Sequence, residues 1–315
     1  MDKTKVEKFR SNGKLLLTGE YLVLDGALAL ALPTRLGQSM TVSSSKTTQS
    51  NGVLEWESLD EKGETWFKGI YALPDFDILS FFGNEQIAVT LKNILLQVRA
   101  LAPDFLLLPL LVKVQTILEF PRDWGLGSSS TMISNIAKWA EVDPFKLLFN
   151  TLGGSGYDVA CAFNNQPICY RKLTNDIWVN PVDFHPPYSN ELYFVYLGQK
   201  QNSREAIDFY QQNVADKSNL IKEVSDITNG ILHAKTLRAF EDLLNFHEMV
   251  LSALLSLPTA KQLHFSDYWG SVKSLGAWGG DFVLATSTKN KADTVAYFKG
   301  KGFHKVIPYN NMVIG

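Results

Sequence analysis

The sequence predicts an α+β fold that is divided into two domains. At about 150 residues per domain, a chain of 315 residues has room for two. Short apolar runs typical of strands and longer segments with helical apolar spacing occur in both halves, which indicates a mixed fold in each. We place an N-terminal domain over residues 1–170 and a C-terminal domain over residues 171–315.

The composition is that of a globular protein with a large core. Hydrophobic residues make up 45% of the chain and charged residues 20%, close to the averages for soluble domains. A chain of this length buries a large fraction of its surface without disulfides or metals. The composition therefore excludes a disordered chain, a collagen-like protein and a small disulfide-rich scaffold.

The N-terminal half alternates strand and helix patterns. Residues 15–17 and 28–32 are short apolar runs separated by Asp25 and Gly26, which predicts two strands joined by a turn. Residues 86–101 place apolar side chains at helical spacing and predict an amphipathic helix. The other elements predicted here are strands over residues 39–42, 53–56 and 111–120, a polar loop over 43–52 and a helix over 132–140.

The C-terminal half has the same mixture, with longer helices. Apolar spacing predicts helices over residues 218–232, 235–255 and 291–299. Strands are predicted over residues 192–197, 282–286 and 305–308, with a glycine-rich turn over 276–280.

Charge and cysteine content narrow the function classes. The chain has 30 Lys and Arg against 32 Asp and Glu, a net charge of −2, so no overall field favours nucleic acid or an anionic membrane. Two cysteines, Cys161 and Cys169, are too few for a disulfide framework or a cysteine metal site. The five histidines show no ligand spacing, and we expect scattered surface or core roles for them. The charged N-terminus does not read as a signal peptide. We expect a cytoplasmic protein that acts on a small molecule, without nucleic-acid or membrane partners.

A glycine- and serine-rich loop is the strongest candidate for a binding site. Residues 125–130 read Gly-Leu-Gly-Ser-Ser-Ser between a predicted strand and a predicted helix. Backbone N–H groups of such a loop, together with the positive end of the helix that follows, favour phosphate oxygens. The loop fits neither the Walker pattern nor the dinucleotide fingerprint, because the required Lys and third glycine are absent. Its alternative interpretation is a helix start with flexible glycines.

Three other stretches carry candidate chemistry, each with a structural alternative. Asp158 follows the turn Gly153-Gly154-Ser155-Gly156 and could accept a proton from a substrate hydroxyl, or could cap the next helix. Lys14 opens the first strand and could neutralise phosphate charge, or could be a solvated strand end. The glycines of residues 276–281 could let the backbone approach a ligand, or could form a tight hairpin turn.

Taken in order, these stretches resemble the motifs of the GHMP kinase superfamily. The matching segments are residues 14–21 (KLLLTGEY), 125–129 (GLGSS), 154–160 (GSGYDVA) and 276–281 (GAWGGD). The phosphomevalonate kinases fit best, because they share the Gly-Glu-Tyr ending, the Gly-Ser-Gly-aromatic-Asp-Val run, the following Tyr170-Arg171 and the final Gly-Gly-Asp. The Gly-Tyr-Asp-Val-Ala run is also similar to a bacterial subgroup of these kinases.

The resemblance implies a fold, two cofactors and a set of site residues. It implies an N-terminal domain like ribosomal protein S5 domain 2 and a ferredoxin-like C-terminal domain, with the active site in a cleft that binds ATP and Mg²⁺. Asp158 would be the catalytic base, and Lys14 would stabilise charge on the transferring phosphoryl. The ATP phosphates would contact Gly125, Leu126, Gly127, Ser128, Ser129 and Ser130, with the hydroxyl of Ser128 or Ser129 near Mg²⁺. The substrate cleft would include Glu20, Tyr21, Gly154, Ser155, Gly156, Gly276, Gly279 and Gly280.

The chain departs from the superfamily pattern at three places. Asn12 replaces the proline that usually precedes Gly-Lys, and Trp278 replaces a small residue, which could narrow the cleft. The span from Ser130 to Gly153 is also shorter than in most relatives. Within it, residues 144–152 offer no acid where mevalonate kinases carry a Mg²⁺-binding Glu, and the nearest acids are Glu141 and Asp143.

These features predict an ATP- and Mg²⁺-dependent kinase for a small hydroxyl or phosphate acceptor, of the mevalonate or phosphomevalonate type that serves isoprenoid biosynthesis. One alternative is a nucleotide-binding homologue that has lost catalysis. Another is an enzyme like mevalonate diphosphate decarboxylase, which the loop disfavours because those enzymes usually have Ala at the position of Gly127.

Overall fold

The computed structural model describes residues 4–47, 51–174, 176–198, 210, 217–276, 278 and 281–314. It confirms the predicted α+β fold class. The chain forms two compact units that alternate along the sequence. Unit 1 comprises Met1–Gly13, Leu36–Arg122 and Gly127–Phe163, and unit 2 comprises Lys14–Arg35, Asp123–Leu126 and Asn164–Gly315. The predicted division after residue 170 is a single cut, and it stays a prediction.

The described part of unit 1 consists of a β-sheet and four α-helices. In this unit the strand order is β5-β4-β3-β6-β2, in which β3 and β6 run parallel and the other neighbours antiparallel. Its elements are β2 (Ala29–Lys46, of which the second part belongs here), β3 (Gly52–Leu59), β4 (Thr65–Leu73), β5 (Asp77–Phe82), α1 (Glu85–Leu101), β6 (Leu110–Leu118), α2 (Ser128–Ala140), α3 (Pro144–Phe149) and α4 (Tyr157–Phe163).

The core of unit 1 lies between one face of this sheet and its helices. Strand β3 alternates buried and half-buried residues, so one face is turned to the interior. Helix α1 begins after Asn84, whose side chain accepts a hydrogen bond from the N–H of Gln86. Its buried stripe, with Leu91, Ile94 and Leu95, packs in the same cluster as Trp56 of β3.

Unit 2 contains a second, four-stranded antiparallel sheet in the order β10-β11-β9-β12. Outside this four-stranded sheet, unit 2 also contains the first part of β2, which pairs with β7, and β7 pairs with β8. The described elements are β7 (Ile168–Lys172), β8 (Ile177–Pro181), β9 (Leu192–Tyr196), α5 (Ser218–His233), α6 (Leu237–Leu255), α7 (Ala260–His264), β10 (Val272–Leu275), β11 (Phe282–Thr286), α8 (Lys291–Gly300), β12 (Val306–Pro308) and α9 (Tyr309–Met312). Strand β1 (Lys5–Thr18), which pairs with β2, runs through both units.

Most of the predicted elements are confirmed within a few residues, and one predicted loop is wrong. Residues 43–46 continue β2, with Ser43 opposite Lys113 and Ser45 opposite Leu111, whereas residues 48–50 lie outside the described part. Serine side chains do not prevent ladder pairing, because the backbone makes the hydrogen bonds. Strands β4, β5, β7, β8 and β10 were not predicted, and the two strands predicted over residues 28–32 and 39–42 are parts of the single strand β2. No helix in the described residues has the length and apolarity needed to cross a membrane.

Candidate active site

The N-terminus of helix α2 in unit 1 presents backbone donors. The helix begins after Gly127, whose backbone is left-handed at φ 90°, and no side chain in the described part of the chain caps it. The first intrahelical bond joins the N–H of Thr131 to the carbonyl of Gly127. The N–H groups of the first turn therefore remain available at the positive end of a 13-residue helix.

The three serines of this first turn differ in exposure. Ser130 is buried, and its hydroxyl donates to the carbonyl of Gly127 at 2.8 Å. Ser128 is half-buried and Ser129 is exposed. The hydroxyls of Ser128 and Ser129 therefore remain for a ligand. These two serines are the Mg²⁺ candidates that the sequence suggested.

A neutral hydrogen-bond network holds helix α2 inside unit 1. The hydroxyl of Ser11 in β1 donates to Oδ1 of Asn135 at 2.8 Å, and Nδ2 of Asn135 donates to the carbonyl of Gln38 at 3.0 Å. The hydroxyl of Thr131 donates to Oε1 of Gln38 at 2.8 Å. These four residues, Ser11, Gln38, Thr131 and Asn135, form the α2 network, and all four are buried. The network orients the helix whose N-terminus carries the candidate phosphate donors.

Asp158 lies in the first turn of helix α4, and α4 packs against α2. Its Oδ1 accepts the N–H of Val159 at 3.0 Å, so a local helix-start role exists beside the predicted catalytic one. The side chain is half-buried. The preceding turn has left-handed backbone at Gly154 and Gly156, with φ of 102° and 94°, and Ser155 between them is half-buried. A Cβ at Gly154 would meet no described atom within 4 Å, so its positive φ is what requires glycine.

Unit 2 brings Lys14 together with the first two residues of the glycine-serine loop. The backbone N–H of Lys14 donates to the carbonyl of Leu126 at 3.0 Å. Gly125 has φ 63°, and a Cβ there would collide with the carboxylate of Asp281 in the last motif. The ring of Trp124, just before the loop, contacts the ring of Phe282 edge to face at 5.4 Å between centroids. The loop passes from unit 2 to unit 1 between Leu126 and Gly127.

Glu20 of the first motif belongs to a buried charged cluster in unit 2. Its Oε1 accepts the ammonium of Lys273 from β10 at 2.5 Å, and Lys273 also donates to the carbonyl of Ser274 at 2.8 Å. His247 and Glu248, adjacent on α6, complete the set. Glu20, His247, Glu248 and Lys273, called here the charge cluster, are all at most 3% exposed. The predicted place of Glu20 in a substrate cleft stays a prediction.

Burial dominates the protonation of this cluster. It raises the pKa of Glu20, against the opposing charge and hydrogen bond of Lys273. It raises the pKa of Glu248 to about 8, again opposed by Lys273 and assisted by the charge of Glu20. It lowers the pKa of His247 well below its ordinary range, and the Lys273 ammonium acts in the same direction. His247 is therefore neutral at pH 7, and Glu248 is mostly protonated.

Tyr21 links the first motif to the last. Its backbone has a positive φ of 62°, and its hydroxyl accepts the N–H of Trp278 at 2.7 Å. The indole of Trp278 is 8% exposed and donates to the carbonyl of Pro258 at 3.0 Å, so the ring anchors this loop inside unit 2. The expectation that Trp278 narrows a cleft stays a prediction. Gly276 has φ 72°, and Gly279 and Gly280 lie outside the described residues.

Glu141 and Asp143, the acids nearest the segment that lacks a Mg²⁺-binding Glu, have structural roles in unit 1. Asp143 caps α3 by accepting the N–H groups of Phe145 and Lys146, and Glu141 ends α2 with left-handed backbone. The described residues contain no group of three metal-ligating side chains. Magnesium that arrives with a nucleotide needs only one or two protein ligands, because phosphates and water supply the rest. The hydroxyls of Ser128 and Ser129 fit that limited demand.

Comparison with known proteins identifies the architecture. No family model and no curated protein matches the sequence. Among solved structures, Streptococcus pneumoniae phosphomevalonate kinase in complex with phosphomevalonate and AMPPNP has a TM-score of 0.68 at 17% identity, covering 95% of this chain and 99% of that chain. The Methanococcus jannaschii mevalonate kinase has a TM-score of 0.63 at 13% identity, with 99% of each chain covered. The chain has the GHMP kinase fold.

The GHMP kinase fold leaves the reaction open. Mevalonate diphosphate decarboxylase from Staphylococcus aureus is also similar, with a TM-score of 0.60 at 9% identity over 99% of this chain and 95% of that chain. Kinases and a decarboxylase thus share this architecture, and activity has to be argued from the residues.

Sequence reasoning missed three residues of the charge cluster. Lys273, His247 and Glu248 were not singled out, although each is a charged or polar residue inside a pattern that is otherwise apolar. The clearest signal was Lys273, which lies in a four-residue buried strand directly before the last glycine motif. A lysine inside a short buried strand requires an acidic partner.

Proposed function

We propose that this protein is an ATP-dependent small-molecule kinase that transfers the γ-phosphoryl group to a hydroxyl or phosphate acceptor of the mevalonate or phosphomevalonate type. The observation that carries the proposal is the uncapped N-terminus of α2, which follows two left-handed glycines, Gly125 and Gly127. Such a terminus favours phosphate oxygens. The similar phosphomevalonate kinase structure, a complex with AMPPNP, supports ATP as the nucleotide.

The proposed roles follow the chemistry of phosphoryl transfer. The acceptor oxygen forms a bond to the γ-phosphorus while the bond from that phosphorus to the β-γ bridging oxygen breaks, and ADP leaves. Residues 125–130 would hold the ATP phosphates, with Ser128 and Ser129 beside the Mg²⁺ that ATP carries. Lys14 would stabilise the charge on the transferring group. The remaining predicted residues, Tyr21, Gly154, Ser155, Gly156, Gly276, Gly279 and Gly280, would shape the acceptor site. Lys14 belongs to unit 2 and Asp158 to unit 1, and the role of each is proposed separately.

Asp158 distinguishes the two acceptor classes. A hydroxyl acceptor must lose its proton during transfer, and Asp158 would receive it. A phosphate acceptor is already largely ionised at neutral pH, since its second pKa is about 6, and needs no such base. The substitution Asp158→Asn should therefore reduce kcat by about 10²–10⁴-fold with a hydroxyl acceptor and by much less with a phosphate acceptor.

The test is an ADP-release assay with ATP and Mg²⁺ against mevalonate, phosphomevalonate, homoserine and galactose. Acceptor-dependent ADP release by the natural chain supports the kinase. Asp104→Asn, which removes an exposed carboxylate of the same unit, is the matched control and should turn over like the natural chain. AMPPNP binding without turnover on any acceptor would instead favour a nucleotide-binding homologue without catalysis. Release of carbon dioxide from diphosphomevalonate would favour the decarboxylase.

A further inference from the structure

We propose that His247, Glu248 and Lys273 are positioning residues, which act through Glu20 to hold the first motif and the last motif in their working conformation. The inference rests on the proposed kinase function and adds residues that the sequence motifs do not contain. It is carried by the hydrogen bonds of the charge cluster, all of which lie within unit 2.

Lys273 fixes the Glu20 side chain. The ammonium is fully buried, and two of its three donors are used, by Oε1 of Glu20 at 2.5 Å and by the carbonyl of Ser274 at 2.8 Å. Because Ser274 precedes Gly276 by two residues, this lysine ties Glu20 to the strand that leads into the last motif. A buried ammonium held by a single carboxylate leaves that carboxylate few alternative positions.

His247 fixes the backbone beside Glu20. Its Nε2 accepts the N–H of Gly19 at 3.2 Å and lies 3.4 Å from Oε2 of Glu20. Gly19 has φ 94°, and a Cβ there would lie 2.7 Å from the Cβ of Ala29. The turn between Thr18 and Tyr21 is thus closely packed on one side and bonded to α6 on the other. Tyr21 follows this turn, and its hydroxyl accepts a hydrogen bond from the N–H of Trp278.

Glu248 sets the charge balance of the cluster. Its Oε2 accepts the hydroxyl of Ser274 at 3.3 Å, and its Oε1 has no hydrogen-bond partner among the described residues. With His247 neutral, two ionised carboxylates would face one ammonium and leave a net negative charge in the interior. Glu248 has no bond to Lys273 among those described, so it is the carboxyl that keeps its proton. The charged groups that act on it are Lys273 from β10 and Glu20 from the first motif.

Loss of the Glu248 proton would disturb the pair that holds Glu20. A second carboxylate would then compete for the Lys273 ammonium and repel the carboxylate of Glu20. The first motif would lose its fixed orientation above the pH at which Glu248 ionises. A fall in kcat on the alkaline side is therefore expected from a residue that contacts no substrate.

The first experiment measures kcat and KM between pH 6.5 and 9.5 for the natural chain, Glu248→Gln and Asp242→Asn. Glutamine imitates the protonated carboxyl, so Glu248→Gln should keep at least half of kcat at pH 7 and lose the alkaline fall. Asp242 is exposed on the same helix, and its variant should retain the fall. An alkaline fall that persists unchanged in Glu248→Gln overturns the proposal.

The second experiment tests His247 by conservative rescue. His247→Gln supplies an amide oxygen for the N–H of Gly19, whereas His247→Leu fills similar space without an acceptor. Both variants remove the imidazole, so a merely structural ring would make them equivalent. We expect His247→Leu to lose at least tenfold in kcat with KM for ATP changed less than threefold, and His247→Gln to recover most of that loss. Equal kcat values for the two variants would count against the positioning role.

A third readout separates this proposal from the kinase assignment. The rise in Tm caused by AMPPNP with Mg²⁺ can be measured at pH 7 and pH 9 without any acceptor. If no acceptor turns over, the kinase proposal fails, while a nucleotide-induced Tm shift that falls at pH 9 in the natural chain but not in Glu248→Gln still supports positioning. A shift that has the same pH dependence in both proteins overturns it.

Discussion

The two units bury different kinds of polar side chain: the α2 network of unit 1 is neutral, and the charge cluster of unit 2 is ionisable. In unit 1, the α2 network consists of neutral side chains, and Ser11 and Asn135 each bond to a partner at 2.8–3.0 Å. In unit 2, the charge cluster buries Glu20, Glu248 and Lys273, and it leaves Oε2 of Glu20 and Oε1 of Glu248 without a hydrogen bond among the described residues. Neutral bonds contribute about 0.5–1.5 kcal/mol each, whereas a buried charge has to recover a desolvation cost of several kcal/mol per ion.

This difference indicates different roles for the two networks. None of the four residues of the α2 network titrates; the ionisable side chain bonded to them is that of Lys138, whose ammonium donates to the Ser11 hydroxyl at 3.0 Å and whose pKa is lowered by burial. The charge cluster is held by a balance of charges, and its conformation depends on which carboxyl carries a proton. In unit 1, neutral hydrogen bonds hold the helix whose start is proposed to bind phosphate, while in unit 2 the groups beside the first and last motifs are held by a network that a change in protonation can disturb.

The largest expected effect comes from removing the cation of the cluster. Lys273→Met should reduce the free energy of unfolding by about 3–5 kcal/mol, because Glu20 would remain buried without its partner. Urea unfolding at pH 7 measures the loss. The double variant Glu20→Gln with Lys273→Met removes both charges and should recover more than half of it. A double variant as unstable as Lys273→Met would show that side-chain packing, and not the charge, accounts for the loss.

The pH dependence of stability is the next largest effect. The folded-state pKa of Glu248 is raised from 4.5 to about 8, so its contribution to stability is complete below pH 4.5 and is lost as the pH rises to 8, with a slope of about 1.4 kcal/mol per pH unit. The pKa of His247 is lowered from 6.5, so its contribution is present above pH 6.5 and is lost as the pH falls. Above pH 6.5 the Glu248 slope acts without opposition from His247.

Unfolding by urea at pH 5, 6.5 and 8 tests these signs. Glu248→Gln should gain stability relative to the natural chain between pH 6.5 and pH 8, because glutamine has no proton to lose. His247→Gln should remove the loss of stability that the natural ring causes below pH 6.5. A constant difference between Glu248→Gln and the natural chain across these pH values would contradict the buried, protonated carboxyl.

The same contrast explains what the sequence could predict. The glycine-serine loop, Lys14 and Asp158 lie in contiguous motifs, because chain segments that bind phosphate have local requirements such as left-handed glycines and a helix start. The charge cluster joins residues 253 positions apart in the chain, Glu20 and Lys273. No local pattern encodes such a pair: the sequence around Lys273 can indicate a buried lysine, but nothing near it identifies Glu20 as the acidic partner.

Strands β4 and β5 were missed by the sequence-based prediction for a different physical reason. Strand β4 places apolar residues on both faces, with Phe67 and Tyr71 buried and Ile70 36% exposed, which obscures the period of two. Strand β5 exposes Leu79 and Phe82, so its apolar residues do not mark a buried face. Strand β11, by contrast, is buried along its whole length and reads as a short apolar run, which is why it was predicted.

A smaller effect is expected when the α2 network is broken. Asn135→Ala removes the acceptor of the Ser11 hydroxyl and the donor to the carbonyl of Gln38, so two buried groups lose a partner. The free energy of unfolding should fall by about 1–3 kcal/mol. The loss should be the same at pH 6.5 and pH 8, because no group in the α2 network titrates there. The contrary result is a loss that changes by more than about 1 kcal/mol between these pH values, which corresponds to a shift of about one pKa unit. It would show that the α2 network depends on pH, as the charge cluster does.

The smallest effect is expected at Ser274, where the hydroxyl bond to Glu248 is long at 3.3 Å. Ser274→Ala should cost about 0.5–1.5 kcal/mol, and the backbone carbonyl of Ser274 that holds Lys273 is retained. Since this hydroxyl lowers the pKa of Glu248, its removal should raise that pKa further and move the alkaline fall in kcat to higher pH. The shift is measured from the pH profile of Ser274→Ala against the natural chain. A profile that moves to lower pH would mean that the hydroxyl stabilises the protonated carboxyl, and that Glu248 holds its proton for a reason other than burial.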